Sequence, residues 1–364
     1  MKFKFSLPKT VLGLLAAALL LPAAGPAAGP AEAADPKCRD VADRGHLNVL
    51  TLNLLFSEIE NRDARFGLIA DFVEAEAALG EPVDLLLLQE VVGGALVGTG
   101  NSAEDLRDIL RARGLNYDLR TAFETGLPGV LATANAILSR CEITAHLAAF
   151  LPLTSETIEL GDLEIPVSRN IMMVRIKIPD FRRVNIYNTH FCAGDCTVDE
   201  LDEQTEEAID FVDGVERLFS FFRRRPHILG GDLNLDNFRG RTPPEVFGPE
   251  YRAYKDFTRN DFEDAYAEAR AEPLSALCED PQQPDVHCTV DVSALDDGNT
   301  RRIDYVFSRG FGAVIEGKVV FNPVGRGGAC DQSLEPECAS VSDHAGVLTR
   351  IRLSGGATRL SAAE

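Results

Sequence analysis

The sequence predicts an α/β domain of the α+β type, with β-sheets packed on each other. Three observations carry that expectation. Short apolar runs ending in polar or turn residues recur from His46 to Leu353, helix-period stretches lie between them, and no change of composition separates the two. A hydrophobic content of 45% over 364 residues supports a sizeable core. No internal period of about 20 residues is visible, which argues against a solenoid.

Residues 1–34 differ from the rest. Lys2 and Lys4 precede an apolar run at 11–21 and a Pro/Ala/Gly stretch with Ala31-Glu32-Ala33. That is the pattern of a secretory signal with a small-residue cleavage site, and the run is too short to span a bilayer. A single membrane anchor is the rival reading. The expectation is therefore an exported chain, secreted or periplasmic, with one domain over 35–353 and a frayed tail at 354–364. Export makes the eight cysteines informative, because an oxidising compartment favours disulfides. Sequence proximity pairs Cys192 with Cys196, Cys278 with Cys288 and Cys330 with Cys338, leaving Cys38 with Cys141. A zinc site is the alternative, against which stand the absence of a CxxC pair and the scatter of the six histidines.

The elements follow in order. Residues 46–56 read as a buried strand, 61–79 as a helix stopped by Gly80-Glu81-Pro82, and 83–92 as a core strand ending in Gln89 and Glu90. After a flexible loop at 93–100, Ser102 with Asp105 forms a capping box for a helix closed by Gly114. Strands are expected at 117–123, 134–138 and 141–151, then an antiparallel pair at 171–178 and 183–190. A long helix follows at 199–222, its end marked by Arg223-Arg224-Arg225, favourable for the helix dipole. The stretch 226–234, PHILGGDLN, is an apolar strand that stops at Gly230 and Gly231, and alternation in an extended backbone would put Asp232 and Asn234 on one side. Residues 237–257 read as a surface excursion, 261–269 as a short helix and 274–299 as a loop. Strands at 301–307, 313–321 and 345–353 complete the chain, with a disulfide-closed loop at 326–340.

Asn53, Glu90, His190, Asp232, Asn234, Asp304, Asp343 and His344 all terminate otherwise apolar strands. Burying unpartnered polar groups costs roughly 2–7 kcal/mol each, so their recurrence points to a shared polar floor. Each alone has a plainer explanation: a buried amide for Asn53, an exposed strand end for Glu90, a structural histidine for His190, an Arg301 or Arg302 ion pair for Asp304, an ordinary turn for Asp343-His344. Together they specify chemistry. Oxygen ligands without cysteine suit a hard cation such as Mg²⁺, with Mn²⁺ or Ca²⁺ as alternatives. A histidine oriented by a carboxylate, as His344 by Asp304, can take a proton from water near neutral pH. Donors such as Asn234 and His190 suit charge building on phosphate oxygens.

The segments TLN at Asn53, LLLQEV at Glu90, NTH at His190, GDLN at 232–234, RIDYVFS at Asp304 and SDH at 343–344 stand in the order seen in the endonuclease/exonuclease/phosphatase superfamily. The resemblance runs from about Leu47 to Leu353 and includes NAILSR at 135–140. It implies a four-layer sandwich, two mixed sheets face to face with helices outside, and a metal-dependent site at one edge. It further implies Glu90 as principal metal ligand, Asn53 as ligand or neighbour of one, and Asp343 near the cation. His344 resembles the general base, oriented by Asp304; Asp232 would position the attacking water, and Asn234 and His190 would contact the scissile phosphate. TLN is followed by Leu54-Leu55, so the acidic residue that nuclease members often carry there is absent.

The family hydrolyses nucleic acids, phospholipid head groups and inositol phosphates. Two substrates fit an exported member: a phospholipid head group, as for sphingomyelinases, or extracellular DNA. An exported binding protein with a decayed site is the non-enzyme alternative, and it predicts gaps among the catalytic positions that the sequence does not have. The formal charge of −21, or −23 without residues 1–33, opposes bulk attraction to a polyanion. No Trp and no aromatic cluster near 274–299 offers membrane insertion. Pieces of a basic track stand at Arg182-Arg183, 223–225, Arg239, Arg241 and Arg301-Arg302, where helix-end charge is the alternative meaning. No stable protein partner is evident and a monomer is expected.

Overall fold

The computed structural model describes residues 38–55, 61–160, 163–179, 181–194, 196–219, 226–235, 250–269, 288–290, 302–322 and 339–353. The expected leader at 1–34, the tail at 354–364 and most of the loops expected at 274–299 and 326–340 lie outside these residues.

The parallel strand pairs organise the fold. β1 (His46–Asn53), which follows the short helix α1 (Arg39–Arg44), runs parallel to β2 (Leu85–Gly93), with helix α2 (Arg62–Ala78) between them in the chain. β9 (Arg183–His190) runs parallel to β10 (His227–Asp232), with α4 (Val198–Phe219) between. A parallel pair cannot be closed by a tight turn, so each needs its helical crossover. All other strand pairings among the described residues are antiparallel. With β3 (Asp118–Leu127), β4 (Leu131–Ser139), β13 (Val314–Val320) and β14 (Gly346–Arg352), the first pair builds a six-stranded sheet in the order β13-β14-β1-β2-β4-β3. With β5 (Glu142–Phe150), β8 (Asn170–Lys177), β11 (Glu263–Asp264) and β12 (Asp304–Arg309), the second builds the order β11-β12-β10-β9-β8-β5.

Alternation decides which face each side chain covers. Leu47, Val49, Leu85, Leu87 and Ile137 pack inward against Met172, Val174, Ile186, Ile228 and Val306 of the facing sheet. Their neighbours Leu50, Leu52, Leu86, Leu88 and Leu138 point outward to Phe66, Ile69 and Val73 of α2 and to Leu106 and Leu110 of α3 (Ser102–Ala112). On the other side Met173, Tyr187, Leu229 and Phe307 meet Ala208 and Val212 of α4 and Phe257 of α5 (Glu250–Arg259). The result is the expected four-layer sandwich of helices, two mixed sheets and helices. Near the middle, Gln89 Nε2 donates to Asn188 Oδ1 across the sheets at 2.6 Å. Asn188 Nδ2 returns two bonds of 2.9 Å to the carbonyls of Leu88 and Ala136. Buried amides that bond across the interface hold the two sheets in one register.

Several boundaries differ from expectation for identifiable reasons. The cap of α3 is Asn101, whose side chain accepts from Ala103 N, while Ser102 Oγ accepts from Val92 N in the neighbouring strand. The supposed excursion at 237–257 contains helix α5 from Glu250, and the 261–269 segment divides into β11 and the one-turn α6 (Ala265–Glu268). An unforeseen hairpin of β6 (Thr157–Leu160) and β7 (Leu163–Pro166) projects between β5 and β8. Cys192 is bonded to Cys196, as proximity proposed, and Cys38 to Cys141, the pair left over. Cys288 is also in a disulfide; Cys278, Cys330 and Cys338 lie outside the described residues.

Candidate active site

The carboxyl ends of the four parallel strands meet at one edge of the sandwich, and they carry Asn53, Glu90, His190 and Asp232. Asp232 pairs with His190 on one side and with Asp304 on the other in the strand register. Two glycines make the crowding there feasible. Gly231 adopts φ +145°, and a Cβ on it would lie 1.9 Å from the Thr189 carbonyl oxygen. A Cβ on Gly230 would meet Leu87 of the opposite sheet at 2.6 Å. At Gly231 glycine permits a backbone approach that no other residue allows.

The strand does not continue extended to Asn234, as alternation had implied. Asn234 turns to φ +52°, and its backbone N–H donates to Asp232 Oδ1 at 3.1 Å, a local turn that short polar side chains favour. Its side chain then donates to the Phe191 carbonyl at 3.0 Å. Glu90 also stands at positive φ, +54°, inside a bulge between Leu88 and Val91. Bulges re-aim a side chain, and this one turns Glu90 toward Asn53, whose Nδ2 donates to Glu90 Oε1 and to Asp232 Oδ2, each at 3.0 Å. Leu55 N donates to Asn53 Oδ1, which fixes the amide with its nitrogen facing the two carboxylates. Asn53 therefore orients Glu90 in this arrangement and spends its own oxygen on the backbone.

Asp232 lies between two histidines. His190 Nε2 is 3.3 Å from Asp232 Oδ2 and His344 Nε2 is 3.7 Å from it. His344 Nδ1 is 2.9 Å from Asp304 Oδ2. Thr289 holds the two strands of that pair together: its Oγ1 accepts from Ile303 N and Asp304 N, and its carbonyl accepts from Ala345 N. Asp343 adjoins through the chain, its Oδ1 accepting from Ser342 Oγ. Arg302 does not pair with Asp304, as the plainer reading had it. It is fully buried, bonds Asp264 and lies over the Tyr305 ring at 4.4 Å.

The two histidines are held in opposite states. Burial, then the Arg169 guanidinium and His344, hold His190 well below the usual imidazole range. Burial also opposes charge on His344, but Asp304, Asp232 and Asp343 outweigh it and hold that ring well above the range. Burial pushes Asp232 up to about 7, with His344 opposing and Asp304 adding to the shift. A neutral histidine with one proton can only donate or accept at fixed atoms, whereas a carboxylate-held imidazole is the proton-handling partner.

Sequence reasoning missed the neighbouring polar cluster. Arg169 Nη1 lies 2.7 Å from His190 Nδ1, and Glu156 holds the same guanidinium through bonds of 3.0 Å and 2.5 Å. Behind it Asn135 donates to Glu124 Oε1, and burial pushes the Glu124 carboxyl up to about 8 against the pull of Arg169. The available signal was Ser168-Arg169-Asn170 at the start of an apolar strand. In an antiparallel neighbour, the first residues of a strand share an edge with the last residues of the next.

The donor set fits a hard divalent cation. Glu90, Asp232, Asp304 and Asp343 offer oxygen, and Asp304 Oδ1 is buried with no hydrogen-bond partner. Asp232, Asp304 and His344 present ligand atoms within 4.8 Å of one another. Their bonds to each other also suit an acid–base assembly.

The sequence matches the profile of the Endonuclease/Exonuclease/phosphatase family over residues 50–344. This chain belongs to that family. Members of the Endonuclease/Exonuclease/phosphatase family are divalent-metal-dependent hydrolases of phosphoester bonds. No curated protein matches the chain in sequence. Solved structures share the fold. An endonuclease/exonuclease/phosphatase family protein from Leptotrichia buccalis is 20% identical, covers 84% of this chain and 99% of its own, and has a TM-score of 0.56. One from Beutenbergia cavernae is 21% identical over 85% of this chain and 72% of its own, with a TM-score of 0.58. A mannosyl-6-phosphatase from Bacteroides thetaiotaomicron is 17% identical over 84% of this chain and 99% of its own, with a TM-score of 0.53.

Proposed function

We propose that this member of the family is an exported, Mg²⁺-dependent phosphodiesterase that attacks phosphorus with water. The observation that carries the reading is the continuous buried chain His190–Asp232–His344–Asp304, joined through Asn53 to Glu90. Glu90 with Asp343 would hold the cation, which supplies charge neutralisation for the phosphoryl oxygens. His344, oriented by Asp304, takes the proton of the attacking water once the ring is neutral. Asp232 orients that water, and Asn234 and His190 donate to the non-bridging oxygens, where charge builds as the water–phosphorus bond forms and one ester P–O bond breaks, the departing oxygen leaving as an alcohol with a proton taken from solvent.

Of the two substrates, a zwitterionic phospholipid is favoured. The net charge of −21 works against a polyanion. Phe150 is exposed and pairs with Asn170 in β8, and Ile171 pairs with Thr189 next to His190. Phe150 thus stands two strand spacings from the site, about 10 Å. Phe123 and Leu127 on β3 and Leu153 beyond β5 are exposed as well.

A side-by-side assay with Mg²⁺ tests the reading, using sphingomyelin vesicles, plasmid DNA, bis-p-nitrophenyl phosphate and the monoester p-nitrophenyl phosphate. Turnover of sphingomyelin above plasmid is expected. Preferential nicking of plasmid would transfer the assignment to a deoxyribonuclease, and exclusive monoester cleavage would overturn the diesterase reading.

A further inference from the structure

We infer that Arg169, clamped by Glu156, is a positioning residue that locks His190 in the tautomer with its proton on Nε2, so that the ring is a permanent donor into the site. The inference extends the phosphodiesterase reading of the same site, but its geometric half stands without it.

The chemistry of a guanidinium decides the point. Arginine has five N–H donors and no acceptor. At 2.7 Å from Arg169 Nη1, His190 Nδ1 can therefore only accept. The one proton of the neutral ring must sit on Nε2, the atom that faces Asp232 Oδ2 at 3.3 Å. A second proton on Nδ1 would point N–H at N–H. The site thus contains one histidine that can shuttle a proton, His344, and one that cannot.

Arg169 itself has no freedom to leave. Its Nε donates to Glu156 Oε2 at 3.0 Å and its Nη2 to Oε1 at 2.5 Å, a two-pronged pair that fixes the plane of the guanidinium. Arg169 is buried, and Glu124 Oε2 lies 4.0 Å from Nη1. Glu156 comes from the segment entering the β6–β7 hairpin and Arg169 from the segment leaving it. The hairpin that sequence reading overlooked is closed at its base by the pair that orients a ring of the active site.

The test is nitrogen NMR of the histidine side chains in the full mature chain, read together with kcat and KM. Wild type should show His190 with an unprotonated Nδ1 and a protonated Nε2 near neutral pH. Arg169→Lys keeps a donor-only group and should keep that tautomer. Arg169→Met should free Nδ1 to bind a proton, so that forms with Nδ1–H become populated, with kcat down on the order of 10²-fold and KM changed less than about threefold, the pattern of a donor misaimed in the transition state. Glu156→Ala should shift the tautomer in the same direction by a smaller amount, and serves where Arg169→Met does not fold. A wild-type ring protonated on Nδ1 would overturn the inference, as would an Nε2–H tautomer that persists in folded Arg169→Met or Glu156→Ala. The spectra decide this even if no phosphodiester is turned over, a result that would remove the functional reading alone.

Discussion

His190 and His344 flank one carboxylate, yet their surroundings differ. Three acidic side chains surround His344, while a guanidinium faces His190. His344→Ala should therefore reduce turnover by on the order of 10³-fold or more, as loss of a general base does. Its circular dichroism should keep the wild-type shape, and a folded, fully active variant would remove His344 from the mechanism. Glu124 gives a pH prediction of definite sign. Its carboxyl, ordinarily near 4.5, is pushed up to about 8 by burial, so the folded chain keeps a proton that the unfolded chain releases in between. The stability is full below the lower value and falls as pH rises toward the upper one, by up to about 1.4 kcal/mol per pH unit from this group. Glu124→Gln should flatten that slope in urea melts across the window; equal slopes in both proteins would refute the assignment. Residues that end apolar strands, such as Asp232 and Asp304, were legible because an apolar run makes a polar terminus conspicuous. Arg169 was not, since nothing local to Ser168-Arg169-Asn170 reveals a partner 21 positions away on another strand.

At the scale of elements, the β9–β10 pair depends on Gly231. Gly231→Ala would drive a methyl group into the Thr189 carbonyl in a backbone conformation that L side chains rarely adopt. It should destabilise by about 3 kcal/mol or more, or fail to fold. Gly67 in α2 is the control: a Cβ there meets nothing within 4 Å. Gly67→Ala should stabilise by roughly 0.5–1 kcal/mol through helix propensity, and thermal melts of the two variants should move in opposite directions. The long strands and the helices α2 and α4 were readable from runs and periodicity. The β6–β7 hairpin escaped because four-residue strands with alternating polar and apolar residues give too short a pattern. The turn at Asn234 and the bulge at Glu90 escaped for another reason. Each is a left-handed backbone conformation of a residue other than glycine, which an apolar/polar pattern does not encode: Asn234 turns on a local bond to Asp232 and a side-chain bond to the Phe191 carbonyl, and Glu90 is held in its bulge by Asn53.

For the whole molecule, two sheets with one parallel pair each bring segments from opposite ends of the chain to one edge. Asn53 meets Asp232 across 179 positions, and His344 meets Asp304 across 40. That order of segments, and the expectation of one shared polar floor, were visible in the sequence; the distances and bonds that join them required the fold. Gathering Glu90, Asp232, Asp304 and Asp343 at one edge of an acidic protein is costly without a counter-charge, which makes a bound cation the keystone of the account. The decisive measurement is hydrolysis of bis-p-nitrophenyl phosphate by exhaustively chelated wild-type protein titrated with Mg²⁺. Turnover absent in chelator and restored in a saturable way by Mg²⁺ is the predicted result; undiminished turnover without metal, or none at any Mg²⁺ concentration, would contradict it.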